Sequence, residues 1–301
     1  IGPGNPPTLA VLAWQWLSQG DEQQQAKGAL ASLVLLLTLV MMALLAWGAW
    51  RVWRRRIPPV QGIRRPQPRA LVGKSFAILL PLCGVLCALL LAATAQSRAP
   101  LGDSIGNSLW LGLCSALLGA VVCLLWLELG PSRFGGWIWL PLILPALPLV
   151  DGQYQLALYT WQDGEWLTVL WGHLLWVVPW MLFILHPARR AADPRAELVA
   201  RTLGWHQGRI FWLVTLPALT RPLLTALAVG FSVSIAQYLP TLWLGGGRIP
   251  TLTSEAVALS SGGDIATLAA QALWQLLLPA VFFALTALLA WPIGRYRQGL
   301  R

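Results

Sequence analysis

Six runs of about 20 predominantly apolar residues, at 28–50, 71–95, 105–127, 166–186, 218–242 and 266–291, set the limits on what this chain can become. A helical residue rises about 1.5 Å, so each run can cross the hydrocarbon core of a bilayer. The 301 residues are 57% hydrophobic and only 11% charged, which excludes an ordinary soluble domain. The expected fold class is all-α, a polytopic bundle of membrane helices.

A seventh run, 137–150, is short and carries Pro141, Pro145 and Pro148. Charge placement decides whether it counts, because Lys and Arg collect on the cytoplasmic side of a membrane. With seven spans, the N-terminal end outside and the C-terminus in the cytoplasm, 18 of the 21 Lys and Arg lie inside; only Lys27, Arg98 and Arg248 lie outside. Eight of the 11 acids then lie outside. Without the seventh run, the segment holding Arg189, Arg190, Arg195, Arg201 and Arg209 would change sides and break the pattern. The run is therefore expected as a distorted span, its freed carbonyls satisfied by neighbouring helices. The net charge of +10 divides into +15 inside and −5 outside, so it reflects orientation in the bilayer and requires no nucleic acid. Cys83, Cys87, Cys114 and Cys123 all fall in apolar runs, where a thiol behaves as a small hydrophobe. No His or carboxylate joins Cys83 and Cys87, so no metal or cofactor is expected on this chain.

The frame G-x-G-x-x-P-T-L occurs twice, as GPGNPPTL at 2–9 and GGGRIPTL at 245–252. At the same offset of 243 residues, Ser18, Gly20 and Asp21 fall on Ser261, Gly263 and Asp264, and Arg54 falls on Arg297. Compositional likeness between two membrane helices accounts for the matching leucines but not for the turn frame. The repeat predicts that 1–56 is the tail of a unit whose body lies upstream of Ile1, an outer turn plus a last helix. Residues 57–70 are then a basic cytoplasmic linker, and 71–301 a second copy with six spans.

The segment HPARRAADPRAELVARTLGWHQGRIFWLVTLP, 186–217, is the other informative stretch. Asp193 can cap a helix that opens on Pro194, and Gly204 can end it in a left-handed conformation, so a helix is predicted over 194–203. An amphipathic stretch then leads through Leu216 and Pro217 back into the membrane. Stiffly tied to two spans, such a helix is shaped to transmit force from a bound partner. On composition alone, a solvated linker with a capped helix fits as well.

ARTLG at 200–204, twelve intervening residues and then Pro217 preceded by Leu216 resemble the EAA loop of binding-protein-dependent ABC importer permeases. The resemblance extends from about residue 71 to the end. NSLWLGL, beginning at Asn107, is similar to the opening of the family's second core helix, and GFSVSIAQYLPTLWLGGG, 230–247, to its next-to-last span and outer turn. It implies a type I ABC importer permease fold, here part of a fused double permease of the thiamine and ferric-iron importer kind, in a bacterial inner membrane. Within 187–217 it implies an ATPase-coupling set of Asp193, Pro194, Glu197, Ala200, Arg201, Gly204, Leu216 and Pro217. The implied partners are a cytoplasmic ABC ATPase dimer carrying ATP and Mg, a periplasmic or extracellular solute-binding protein, and the first permease copy. The sequence departs from the family at one point: the acid would align with Leu198, whereas Glu197 stands one residue earlier, about 100° away around a helix.

VGKS at 72–75 is not a phosphate-binding loop, since Pro68 stands where glycine is required. ATP chemistry is therefore assigned to another chain. Polar side chains within spans line cavities or join helices. Ser234, Gln237 and Tyr238, at i, i+3 and i+4, are the expected translocation-pathway set, with His173 and Asn107 beside them; hydrogen bonding between helices is the competing role. An ion-coupled secondary transporter is the alternative class, although His173 is the one ionisable residue expected at mid-membrane. A membrane enzyme would need clustered His, Asp, Glu or Cys, and the acids here are scattered.

Overall fold

Apolar runs and capping residues divide the described residues into helices. The computed structural model describes residues 7–19, 21–56, 71–95, 102–130, 136–160, 164–260, 262 and 264–296. Thirteen α-helices lie among them: α1 Leu9–Leu17, α2 Glu22–Arg54, α3 Leu71–Thr94, α4 Gly102–Leu129, α5 Leu140–Ile143, α6 Ala146–Tyr159, α7 Trp166–Ala191, α8 Pro194–Thr202, α9 Gln207–Ile210, α10 Leu216–Ile235, α11 Leu239–Gly245, α12 Leu252–Leu259 and α13 Ile265–Tyr296. Gly2 to Pro6 of the first turn frame, the linker 57–70, and Ser261, Gly263 and Arg297 lie outside the described residues.

Among the described residues, five helices are long and apolar enough to cross a membrane: Gln23–Arg54, Gly102–Leu129, Trp166–Ala191, Gln207–Ile235 and Ile265–Pro292. The run 71–95 is helical over the 24 residues of α3. The proline-rich seventh run is broken, as its composition predicts. A 3-10 turn at Trp137–Trp139 and the single turn of α5 stop before Pro145, whose ring would strike the carbonyl four residues back; α6 then restarts and continues to Tyr159.

The chain forms two compact units. In the first, Ile1–Leu90 with Ile143–Gly152, α1 folds back along α2. Gly28 permits that approach, since a Cβ there would lie 2.6 Å from Leu17 Cγ. Thr8 caps α1 by accepting from the Val11 N–H at 3.4 Å, and Asp21 caps α2 by accepting from the Gln23 N–H at 3.4 Å.

In the second unit, Leu91–Leu142 with Gln153–Arg301, α4, α7 and α10 pack against one another, and α13 lies on α10. The reason lies in α4, where Ser104, Ser108, Gly112, Ala116 and Ala120 recur every four residues and are all buried. A stripe of small residues lets helix backbones approach where lipid supplies no hydrophobic drive. A Cβ on Gly112 would lie 2.8 Å from the Phe231 ring, and one on Gly119 would lie 2.9 Å from Met181 Sδ. Phe231 in turn stacks on Phe282 of α13, with centroids 4.3 Å apart. At the other end α12 runs back against α13. Its cap, Thr251, accepts from the Ser254 N–H at 3.3 Å, and Asp264 accepts from the Ala266 N–H at 3.2 Å. These are the capping relations of Thr8 and Asp21, repeated 243 residues on. The Thr267 hydroxyl, followed by the backbone N–H groups of Ala266 and Thr267, holds the exposed Asp264 carboxyl below the usual carboxylate range.

Two boundaries differ from the sequence reading. The helix expected to open at Asn107 starts five residues earlier, at Gly102. The span expected over 218–242 begins at Gln207 and ends at Ile235; Pro240 has no N–H for the Ala236 carbonyl, and the chain restarts as α11.

Replacing Gly112 with Leu should drive α4 away from a ring already stacked on its far side, costing about 1–3 kcal/mol. Gly48→Leu is the control, because among the described residues nothing beyond its own stretch of helix lies within 4 Å of a Cβ there. Thermal unfolding of the full-length protein in detergent should show a lowered midpoint for Gly112→Leu alone.

Candidate functional site

The elbow between α7 and α10 forms as its residues dictate. Asp193 has extended backbone and accepts from the Arg195 N–H at 2.9 Å, with Pro194 as the first residue of α8. At the far end Gly204 takes φ +76°, donates to the Arg201 carbonyl at 3.0 Å, and is followed by Trp205, which donates to the Ala200 carbonyl at 3.1 Å. This pair of bonds is the Schellman stop that satisfies the last carbonyls of a helix. Arg201 Nη2 donates to Gln207 Oε1 at 3.4 Å, and the Arg209 guanidinium lies 4.5 Å from the Trp205 ring centroid.

The chain re-enters the bundle through a π-helical turn, Phe211–Thr215, between α9 and α10. Pro217 explains the widening. In an α-helix its ring would press on the Leu213 carbonyl; here the Leu216 N–H instead reaches back to Phe211. Leu216 and Pro217 therefore form the first turn of α10, and Gln207 to Ile235 is one continuous helical rod.

Glu197 links these pieces. Its Oε1 lies 2.8 Å from Arg189 Nη1 on α7 and accepts from the Thr215 hydroxyl at 3.1 Å. Arg189 Nε lies 3.4 Å from Glu128 Oε1, at the end of α4. The side chains of Glu128, Arg189 and Glu197 are 15%, 24% and 16% exposed, so water screens them only partly. Ala200, one turn after Glu197, is buried on the same face. The structure thus brings together Glu197 and Ala200 from the expected coupling set, with Asp193, Gly204, Leu216 and Pro217 shaping the elbow around them. Glu128, Arg189 and Thr215 were not singled out in the sequence; their separations from Glu197 give no local signal.

The second cluster lies deeper in the bundle. His173 of α7 is 1% exposed; its Nδ1 is 2.8 Å from Ser234 Oγ and its Nε2 2.9 Å from Thr241 Oγ1. Thr241 donates to the Gln237 carbonyl at 3.0 Å, so its oxygen must accept from His173 Nε2–H. Nδ1 then accepts from the Ser234 hydroxyl, which also lies 3.2 Å from Ser115 Oγ on α4. The ring joins α4, α7, α10 and α11. Gln237 Nε2 donates to the His173 carbonyl at 3.1 Å, while its Oε1 is buried without a hydrogen-bond partner among the described residues. Ser234 and Gln237 converge on His173, but not through a common helical face: α10 ends at Ile235, so the i, i+3, i+4 premise fails, and Gln237 and Tyr238 occupy the break. The Thr253 hydroxyl donates to the Ile235 carbonyl that this break frees.

Asn107 lies elsewhere, donating from Nδ2 to the Pro250 carbonyl at 2.9 Å, while Ser108 accepts from the Leu252 N–H at 2.9 Å. Together they pin the turn that follows α11. A separate recess of about 310 Å³ has apolar walls, among them Trp137, Pro141, Trp171 and Pro179, and holds no ionisable group.

Residues 75–294 match the family model described as binding-protein-dependent transport system inner membrane component. Over all 301 residues the chain is 59% identical to the inner membrane ABC transporter permease protein YnjC of Escherichia coli (strain K12), and it spans 59% of that relative's length. It is 28% identical over 126 residues to a spermidine/putrescine transport system permease protein PotC homolog of Mycoplasma genitalium, covering 40% of this chain and 43% of the relative. Over 71 residues it is 34% identical to the molybdenum transport system permease protein ModB of Mycobacterium bovis, covering 24% of this chain and 27% of the relative.

Replacing Arg189 with Leu removes the cation shared by two carboxylates and should loosen α8 by about 1–2 kcal/mol, more than an exposed pair would. Amide hydrogen exchange across 195–202 should then quicken by roughly tenfold. Glu128→Gln, which touches only the longer contact, should change it less.

Proposed function

The chain belongs to the binding-protein-dependent transport system inner-membrane component family, and on that footing we propose that it acts as a membrane-spanning permease subunit of an ATP-binding-cassette importer. It is a multi-pass inner-membrane protein whose helices form part of a solute pathway, and α8 is its coupling helix. The observation that carries this reading is the elbow itself: a helix capped at both ends and tied through Glu197 to α7 and to the foot of α10. A push on α8 is therefore delivered to spans that already pack on α4, and cannot dissipate in a loose loop.

The excess of Lys and Arg at this end supports placing the elbow in the cytoplasm, the N-terminal end of the chain outside and its C-terminus inside. ATP and Mg belong to a partner ATPase dimer, and a solute-binding protein delivers cargo from outside. Gln237 and Tyr238 are the pathway candidates best supported, because they stand where a span is interrupted and Gln237 keeps an unused side-chain carbonyl. His173 and Ser234 serve as a seam between helices beside that pathway, and Asn107 as the anchor of the outer turn. The relatives are named for spermidine/putrescine and for molybdenum, chemically unlike cargoes, so solute choice is assigned to the binding protein.

The matched capping of α1–α2 and α12–α13 supports reading 1–56 as the outer turn and last helix of a first permease copy, fused ahead of a second copy at 71–301. In that arrangement the two copies enclose the pathway together.

Gly204→Pro in the full-length protein tests the coupling role, since proline cannot adopt φ +76° and the stop of α8 must change. Co-purification with the ATPase subunit and ATP-dependent uptake should both fall. Undiminished association and uptake would remove α8 from coupling, and uptake abolished by an uncoupler yet insensitive to ATP depletion would favour an ion-coupled transporter.

A further inference from the structure

The last turns of α2 run into WGAWRVWRRR, 47–56, where tryptophan and arginine recur at helical spacing. Trp47 and Trp50 each stand four residues before an arginine, Arg51 and Arg54, so ring and guanidinium are neighbours on the helix surface. The Arg51 guanidinium lies 4.3 Å from the Trp47 ring centroid, and the rings of Trp50 and Trp53 meet edge to face with centroids 5.6 Å apart. At about 100° per residue, these three tryptophans and two arginines share about 160° of the helix circumference. The rings are nonetheless 56%, 49% and 61% exposed, and Arg51, Arg54, Arg55 and Arg56 are all exposed.

The chain supplies nothing to neutralise these arginines. Residues 23–102 contain no Asp or Glu, and Asp21 and Glu22 stand at the other end of α2, about 45 Å away along the helix. Among the described residues none of the four arginines forms an ion pair. Arg51 repels Arg54 and Arg55 at i+3 and i+4, a spacing that destabilises a helix unless an anion lies between the charges. The carbonyl end of the helix offers only about half a negative charge. Nor does a helix end of this kind require the set: at the offset of 243 residues, Trp47, Trp50 and Arg51 fall on Ala290, Ile293 and Gly294.

Depth identifies the anion. The apolar run 28–50 ends where Arg51 begins, and tryptophan settles at the level of lipid headgroups, so the guanidinium groups stand among lipid phosphates. Deeper on the same side of the helix, Leu44 is 56% exposed and Val40 39%.

We propose that this end of α2 is a binding site for an anionic phospholipid. Arg51 and Arg54 donate to the phosphodiester, Trp47 and Trp50 flank the headgroup, and an acyl chain lies along Leu44 and Val40. The bound lipid fixes the depth of α2 in the bilayer. The site is independent of the coupling role proposed for α8.

In the test, full-length protein in detergent is titrated with phosphatidylglycerol or with phosphatidylcholine, and bound lipids are counted by native mass spectrometry. Phosphatidylglycerol should bind roughly twentyfold more tightly, and raised salt should narrow the difference. Arg51→Gln combined with Arg54→Gln should remove most of that preference, since each guanidinium near an anionic surface contributes about a factor of five. Glutamine is a good helix former, and Arg51→Lys with Arg54→Lys, which keeps both charges, should retain most of the preference. Arg190→Gln with Arg195→Gln removes the same charge at α7 and α8 and should leave it unchanged. Equal affinity for the two lipids in the parent, or a preference lost as fully in the Arg190 and Arg195 variant, would show that no such site exists. Displacement of phosphatidylglycerol by inorganic phosphate would mark a free-phosphate site and overturn the proposal. A glutamine pair on α2 that weakens ATPase association while leaving lipid preference intact would mark a protein contact and overturn it equally.

Discussion

One guanidinium, that of Arg189, stands between the carboxylates of Glu128 and Glu197 and so joins the end of α4, the end of α7 and the short helix α8. Exposed ion pairs contribute little, but these groups are at most about a quarter exposed and form a network in which one cation serves two anions. Thr215 adds a hydrogen bond from the π turn to the same oxygen of Glu197. The orientation of α8 therefore follows from side chains on three longer helices, and both of its ends are capped.

What α8 is tied to matters as much as the tie. Small residues bring α4 close to α7 and α10, and Phe231 passes the contact on to α13. Along that seam the polar groups serve as joints between helices: His173 is satisfied on both ring nitrogens, and Ser104 is hydrogen-bonded to Gln271 across to α13. Interhelical hydrogen bonds of this kind hold register in a solvent that offers the groups no alternative. His173, bonded to Ser234 before the interruption at Ala236 and to Thr241 after it, ties the two sides of that break to α7.

Much of this was legible in the sequence. Apolar runs marked the long helices because the bilayer demands both length and internally bonded backbone. Asp193-Pro194 and Gly204 bounded α8 to within a residue, since capping is local chemistry written in adjacent positions. The break after Ile235 was missed although Pro240 announced it, because prolines elsewhere in this chain, such as Pro179 and Pro222, sit inside continuous helices. Membrane helices tolerate proline, so the residue alone does not reveal which helix will stop; the tertiary bonds from Thr253 and Thr241 decide it. The role of Glu197 was hidden for a different reason. Its one-residue offset from the family pattern marks a departure, but only the fold brings Arg189, Thr215 and Glu128 to it.

The central claim is that Glu197 and Arg189 act as one unit in holding α8. A double-mutant cycle on the full-length protein, with Glu197→Gln, Arg189→Gln and their combination, tests it most directly through the hydrogen-exchange protection of α8. The account predicts that the double variant loses little more protection than either single one. Losses that simply add would show two independent residues and contradict it.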